Sequence, residues 1–474
     1  MADPQVKTRS GGTTRVPQRD LDSFTAAFRG QLLKPDTPGF DGARAIWNGM
    51  IDRRPALIAR CSTAGDAALA VRFAASHDLL VAVRGGGHNV AGNALCDGGL
   101  VIDLSAMNSV EVDPAARLAR VGPGATLGDV DRATQAHGLA TPVGINSTTG
   151  IAGLTLGGGF GWLSRSLGLT IDNLVSAQVV TADGTTLRAT ASEHDDLFWG
   201  IRGGGGNFGI VTSFEFRLHP VGPDVLSGLI FHPLDEAGKV LRFYRDFLKQ
   251  TPDEFVCWFV LRQAPPLQVL PAEWHGREVL ALAVCYAGAI ADGEKIAKPL
   301  RKFGRPIADV IQPHPYAVWQ TVLDPLLTAG MRNYWKTHDF REVSDGLIDV
   351  LVDHAGRIPD PQTEIACAQL GGAVGRVRSD ATAYAHRDAQ FVMNVHGRWA
   401  DPARDAACIG WARGLFEAAA PFATGGAYVN FLTQDEQGRV PAAYGGNYAR
   451  LVALKRKYDP GNLFRVNQNI AAAA

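Results

Sequence analysis

Residues 79–89 read LLVAVRGGGHN, and the reading of that stretch decides the fold. The apolar, β-branched run is a buried strand, while the three glycines behind it bring no side chain to a core and lose much backbone entropy on ordering. Such a loop makes sense where the main chain itself must come close to something, with His88 at the end of the approach. Taken alone, it is equally compatible with a Gly-rich turn that carries an incidental histidine. Upstream, LIARC reads as a strand and STAGDAALAVRFAASHD as a helix. Ser62 or Thr63 can cap that helix, Asp66 suits its positive end, and Ala68, Val71, Ala74 and Ala75 form its apolar stripe. With LLVAVR this is a βαβ unit.

Downstream come the short strands LVIDL, SVEVD and ARLARV, then a helix, TLGDVDRATQAHG, stopped at Gly138. Two more glycine clusters follow, GIAGLTLGGGFGWLSR at 150–165 and WGIRGGGGNFGIVTSFEF at 199–216, separated by the strand-like AQVVTADG and TTLRATA. Three such clusters in one region read as walls of one ligand site. From residue 223 the character changes to amphipathic LDEAGKVLRFYRDFLKQ and the apolar runs EVLALAVCYAG and TEIACAQLGGAVGRV, which predicts a second, α+β unit. The closing YARLVALKRKYDPGNLFRVNQNI is a helix stopped at Asp459-Pro460, then a polar tail. The expected organisation is a flexible lead over 1–20, a ligand-binding unit over 21–222, a second unit over 223–435 and a returning segment over 436–474.

Composition narrows the partners. The 474 residues carry 46 Lys plus Arg against 47 Asp plus Glu, a net charge of -1, so no global field gathers nucleic acid or an anionic membrane surface. A small molecule is the expected partner. No stretch approaches the roughly 18 apolar residues of a membrane span, and the polar start lacks a signal-peptide core. The six cysteines are scattered without a CxxC pair, so no metal site is expected and buried thiols in a reducing cytoplasm are the default. Oligomeric state is not written in the sequence.

Unhindered backbone N–H groups in a concave loop suit a nucleotide pyrophosphate. GxxxxGK[ST] is absent, which excludes a P-loop, and no cluster combines strand, GxGxxG turn, helix and a following acidic residue as a Rossmann site requires.

The ordered segments VRGGGHN, CDGGLVIDLSAMNSV, GIAGLTLGGGFGWLSRSLGLTIDNL, DLFWGIRGGGGNFGIVTSFEF, GAYVNFLTQDE and NYARLVALKRKYDPGNLFRVNQNI resemble the signatures of the berberine bridge enzyme-like flavoprotein oxidases of the vanillyl-alcohol oxidase superfamily. The resemblance implies an α+β fold: a PCMH-type FAD-binding domain of two subdomains, and an α+β substrate domain whose antiparallel sheet, backed by helices, roofs the isoalloxazine. It also implies that His88 bonds covalently to the flavin 8α-methyl while Arg84, Gly85, Gly86, Gly87 and Asn89 hold the adjoining nucleotide. In many members a cysteine makes a second flavin bond; here Asn146 stands in its place, so a single link is expected. Thr149 sits where members tend to carry an aliphatic residue near flavin C4a, and its Val-like volume leaves room for O2. Further FAD contacts implied by motif are Gly150, Gly153, Gly157, Gly158, Gly159, Asp172 and Asn173 on one side, Gly205, Asn207, Gly209 and Val211 on the other, and Asn447 and Asn467 near the ring.

For the proton acceptor the resemblance points to two places. The strand ahead of a GG pair, TEIACAQLGG, holds Ala366 and Ala368 at the relevant positions, neither of which takes a proton; Gln369 is no base, and Glu364 lies further along the strand. In GAYVNFLTQDE, Tyr428 matches a family tyrosine but Phe431 fills the place of a second; Tyr444 is the other candidate. His396, Trp399 and Asn430 lie in stretches expected near the pocket, although a packed sheet is the expected place for at least two of them. The implied activity is an FAD-dependent oxidase: hydride leaves a CH-OH or CH-NH carbon for flavin N5, and O2 is reduced to H2O2. The two alanines favour a bulky or aromatic substrate over a sugar. Alternatives are oxidative cyclisation or desaturation of a natural product, a flavin-binding protein without turnover, and a NAD-dependent dehydrogenase.

Overall fold

Thr63 starts the first long helix as its side chain dictates. Its Oγ1 accepts from the Asp66 N–H at 3.2 Å while its own N–H donates to Asp66 Oδ2 at 3.0 Å, so two otherwise orphaned donors are satisfied at the head of Ala64–Ser76. The computed structural model describes residues 3–471. In it the flanking strands Leu57–Arg60 and Val81–Arg84 do not touch; Leu100–Asp103, the LVIDL segment, inserts between them and is parallel to both. Gln31–Leu33 completes this four-stranded sheet.

Of the expected flexible lead, residues 3–20 are ordered instead, and residues 1–2 lie outside the described residues. Gln5–Lys7 and Thr13–Arg15 pair as a hairpin, and Val6 and Val16 are fully buried in the core beneath the first sheet. Polar composition hid two well-spaced valines, each of which gains by burial.

A second, five-stranded antiparallel sheet runs in the order Thr186–Thr190, Leu174–Val180, Ile210–Arg217, Leu118–Val121 and Val110–Asp113. The helix Leu127–Gln135 packs beside it, capped by Thr126 through the same Thr–Asp exchange.

The third sheet is eight-stranded and antiparallel; its centre is Asp224–Pro233, Glu278–Tyr286, Phe255–Gln263, Glu364–Gln369, Phe391–Trp399 and Arg332–Phe340 in spatial order. Strand geometry sends alternate residues to opposite faces. Phe255, Cys257, Phe259 and Leu261 therefore enter the core made with the helices Leu234–Leu248, Asp345–Ala355 and Asp405–Ala419, whereas Trp258, Val260 and Arg262 face the other way, toward the first two sheets. This is the α+β architecture expected, with an antiparallel sheet backed by helices.

The chain rejoins the five-stranded unit earlier than residue 436, since Ala427, Val429 and Leu432 already belong to the core of that unit. The final helix Tyr448–Tyr458 is anchored by a fully buried charge pair. Lys455 Nζ donates to Asp459 Oδ2 at 2.7 Å and to the carbonyls of Asn207 and Phe464, both at 2.9 Å. Asp459 in turn accepts from the N–H groups of Leu463 and Phe464. Breaking a buried pair leaves its partner uncompensated, at a cost of about 3–5 kcal/mol. Lys455→Met should therefore lower the thermal unfolding midpoint clearly; an unmoved midpoint would show that the pair contributes nothing net.

Candidate functional site

The three sheets enclose one cavity of about 420 Å³. Its first wall is the loop that leaves Val81–Arg84. A Cβ on Gly86 would lie 2.5 Å from both the Cα and the N of Gly150, and a Cβ on Gly150 would lie 2.5 Å from the Gly86 N. The two glycine loops touch main chain to main chain, which no larger residue permits. Among the described residues, the backbone N–H groups of Gly85 to Asn89 find no acceptor in the protein, so a row of donors is left for a ligand. Gly153 and Thr149 extend this wall, and Gly205, Asn207, Gly209 and Val211 form the facing one together with Asn467. The Asn467 amide donates to the carbonyls of Phe464 and Gly206, leaving Oδ1 buried without a partner.

His88 stands where the first wall meets the roof. Its ring stacks on Trp47 with centroids 5.1 Å apart and 23° between planes. Nε2 lies 2.9 Å from Thr148 Oγ1, and Nδ1 lies 3.4 Å from Thr149 Oγ1. Burial draws its pKa down to about 4, against the opposing effect of a hydrogen bond to the Thr148 backbone, so the imidazole is neutral at physiological pH.

The roof is laid out in rungs by strand register. Trp335, His396, Glu364 and Arg262 stand directly opposite one another across adjacent strands. The next rung is Asn394, Ala366, Val260 and Ala281, and the third is Val392, Ala368, Trp258 and Ala283. Only the first is charged. Arg262 Nη1 donates to Glu364 Oε2 at 2.6 Å, and the other carboxylate oxygen lies 3.1 Å from His396 Nδ1. Burial pushes the Glu364 carboxyl up, but Arg262 and then His396 outweigh it and hold the pKa at about 2; burial lowers that of His396. Asn394 lines the cavity, and its Oδ1 is buried without a partner.

Tyr428 lines the cavity, packed on Phe160 and Phe431 with centroids 4.8 Å away in each case. Its phenol oxygen accepts from the Gly159 N–H at 3.0 Å and from Asn430 Nδ2 at 3.1 Å, yet burial pushes its pKa up to about 12. Tyr444 also reaches the cavity, but at the glycine wall: its O–H donates to the Gly204 carbonyl at 3.2 Å, and burial raises its pKa. Tyr444 thus stands at the glycine wall, whereas Tyr428 packs on Phe160 and Phe431.

Most of the expected cofactor residues converge, and some do not. Arg84 turns behind the loop to the Ala43 carbonyl. Gly157, Gly158 and Gly159 pack against the Asn430 amide, the rings of Tyr384 and Tyr428, and Thr170, and so seat Tyr428 without lining the cavity. Asp172 is gripped by both nitrogens of Arg387, at 2.7 and 2.8 Å. Asn173 ties the carbonyls of Leu167 and Leu169, and Asn447 those of Ser379 and Thr382. In these segments glycine and asparagine serve loop closure, a role that motif spacing does not separate from ligand contact.

His396 and Asn430 both line the cavity, and only Trp399 is packed away, its indole N–H donating to Asp405. Arg262 and Asn394 were missed, although Asn394 shares strand parity with His396. Trp47 and Thr148 carried no signal, because what they touch comes from distant parts of the chain.

The site fits FAD. A row of free backbone donors, two glycine walls without protruding side chains and a mostly apolar roof offer a pyrophosphate and a ring system what each requires. Family descriptions agree: an FAD binding domain matches residues 55–190, and berberine and berberine like matches residues 427–471. (R)-6-hydroxynicotine oxidase of Paenarthrobacter nicotinovorans is 32% identical over 460 residues, covering 94% of this chain and 97% of its own. The FAD-linked oxidoreductase YgaK of Bacillus subtilis (strain 168) is 31% identical over 448 residues, covering 93% and 96%. The crystal structure of 6-hydroxy-D-nicotine oxidase from Arthrobacter nicotinovorans matches with a TM-score of 0.84 at 30% identity, over 94% of this chain and 98% of that one.

Fold and site thus define an FAD-linked oxidoreductase. The chain belongs to the berberine bridge enzyme-like family of these enzymes. Among the described residues no helix is long and apolar enough to cross a membrane.

Because the Gly86–Gly150 contact holds two walls together, Gly86→Ala should retain its far-ultraviolet circular dichroism and lose most of its bound flavin, read from visible absorbance. Full flavin content in that variant would mean that the loops can part without consequence.

Proposed function

We propose that the protein is an oxidase of a small, bulky or aromatic substrate that carries a CH-OH or CH-NH carbon, with O2 as electron acceptor. When bound, FAD supplies the electron sink, taking the hydride at N5 and passing the electrons to O2 to give H2O2. The observation that carries this reading is the roof: one charged rung beside His88, then two rungs in which Ala366 and Ala368 leave space between Trp258, Val260 and Val392. Flat apolar volume of that kind accepts a ring. A sugar would leave most of its hydroxyls unsatisfied there.

Tyr428 is the proposed proton-handling residue. Gly159 and Asn430 both donate to its oxygen and favour the phenolate against burial; in that form it accepts the proton that the CH-OH or CH-NH group releases as the hydride leaves. His396, backed by Glu364 across the first rung, is the alternative acceptor. Arg262 and Glu364 neutralise one another, so this end orients a polar substituent without presenting a bare charge.

His88 is the proposed point of covalent attachment, supported by its neutral ring and its place at the wall-to-roof corner. No cysteine lines the cavity, and all six are buried and free, which supports both a single link and the reading of a reducing, cytoplasmic setting.

Anaerobic mixing with aromatic alcohols and secondary amines should bleach the flavin, and air should restore its colour with formation of H2O2; flavin that stays oxidised across a broad panel would argue for binding alone. Tyr428→Phe should keep FAD and slow the reductive half-reaction by on the order of 100-fold. If it does not, and His396→Gln does, the proton leaves by the roof. Acid-precipitated protein should remain yellow, and mass spectrometry should find the flavin on the peptide that contains His88; flavin on a cysteine, or none bound, would overturn the single histidyl link.

A further inference from the structure

We infer that Asn146 and Thr148 are positioning residues that hold His88 in its Nε2–H tautomer, so that the Nδ1 lone pair faces the flavin; this rests on the covalent link proposed above. The argument is proton counting along a chain of contacts. The amide of Asn146 has one permitted orientation. Its Oδ1 accepts from the Thr148 N–H at 3.0 Å, and its Nδ2 donates to the Leu327 carbonyl at 3.3 Å. Turning the amide over would set donor against donor at the first contact and acceptor against acceptor at the second.

Thr148 Oγ1 lies 2.7 Å from that same Oδ1. Two oxygens so close need a proton between them, and only the threonine has one, so the Thr148 hydroxyl donates to Asn146. With its single proton used, its oxygen can only accept from His88 Nε2, 2.9 Å away. The imidazole has one proton when neutral; the threonine oxygen facing Nε2 draws it there, with the Thr148 backbone as a second acceptor beside the ring. Nδ1 is left as a lone pair whose nearest protein donor, Thr149 Oγ1, is 3.4 Å distant, too long to hold it tightly.

The surroundings keep this chain from relaxing. Trp47 stacks on the imidazole, and its indole N–H donates at 3.1 Å to the same Leu327 carbonyl that Asn146 uses. Ring plane and amide plane are thus referred to one carbonyl. Asn146 is also buried, whereas Thr148, which links it to His88, is exposed.

The consequence is chemical. Attachment joins Nδ1 to the 8α-methyl carbon at the expense of one methyl C–H bond and the Nε2–H bond; the two protons and two electrons released reduce O2 to H2O2. A nitrogen that carries a proton cannot begin that step, so the Nδ1–H tautomer would be inert at this atom. Afterwards Nε2 is an acceptor, and the Thr148 hydroxyl can rotate to donate to it. Asn146 therefore does more than vacate the place of a second linking cysteine: its oxygen sets the direction of the proton chain.

The test uses protein produced under riboflavin limitation, supplied with FAD in air and followed by acid-stable flavin fluorescence. Wild type should attach FAD; Thr148→Val and Asn146→Ala should bind it, as native absorbance reports, yet attach it more slowly by about tenfold or more, the value of one well-made hydrogen bond. Thr148→Ser should restore the wild-type rate. Long-range proton–nitrogen spectra of flavin-free wild type with 15N-labelled histidine, assigned with His88→Ala, should show the Nε2–H pattern at His88. An Nδ1–H pattern overturns the inference whatever the variants do, and so does attachment at the wild-type rate in Thr148→Val. If wild type itself holds FAD only reversibly while its His88 is the Nε2–H tautomer, the covalent reading fails and the proton chain stands.

Discussion

Everything in the site depends on a contact that contains no side chain. Gly86 and Gly150 meet so closely that a Cβ on either would lie 2.5 Å from the other's backbone. That approach joins the loop of the parallel sheet to the loop behind Thr126, and it brings Asn146, Thr148 and Thr149 beneath His88. The cost is the backbone entropy of ordering glycine, offset by burial of the neighbouring apolar walls. A pair of alanines here would separate the walls, and with them the histidine from its threonines.

The second constraint is the two-residue period of the roof. Because alternate side chains leave opposite faces of a strand, one strand such as FVCWFVLRQ can commit Phe255, Cys257, Phe259 and Leu261 to the helices behind and Trp258, Val260 and Arg262 to the cavity in front. Antiparallel register then aligns these second sets into rungs, so a property of each strand becomes a property of a surface. Charge is confined to the rung beside His88, and the two beyond it are uncharged, with alanines at Ala366, Ala368, Ala281 and Ala283. The gradient runs from an end that orients a polar group to an end that accepts a flat apolar body.

The departures from the family pattern belong together. Asn146 in place of a cysteine, Phe431 in place of a tyrosine, and Ala366 and Ala368 where a base could stand all remove reactive or titratable groups from the cavity. What remains is few and specifically held: His88 between Trp47 and Thr148, Tyr428 between Gly159 and Asn430, and the Glu364 pair with Arg262 and His396. Each is fixed by hydrogen bonds or stacking to named neighbours.

Local physics was legible in the sequence. Ser62 or Thr63 could be read as the cap of the first long helix, and the glycine clusters as walls of a site, because each is a matter of adjacent residues; the readings of His88, Asn146, Ala366 and Ala368 came from the family resemblance. The hairpin of the first residues, the roles of Asp172, Asn173 and Asn447 in closing loops, and the removal of Tyr444 to the glycine wall could not be read in one dimension, since a polar or glycine residue has the same spacing whether it serves a turn or a ligand. The proton chain through Asn146 and Thr148, the stacking of Trp47 and the alignment of Arg262, Glu364 and His396 were decided only by tertiary structure. They depend on distances of about one hydrogen bond between residues far apart in the chain, and such distances exist only once three sheets have closed around a common space.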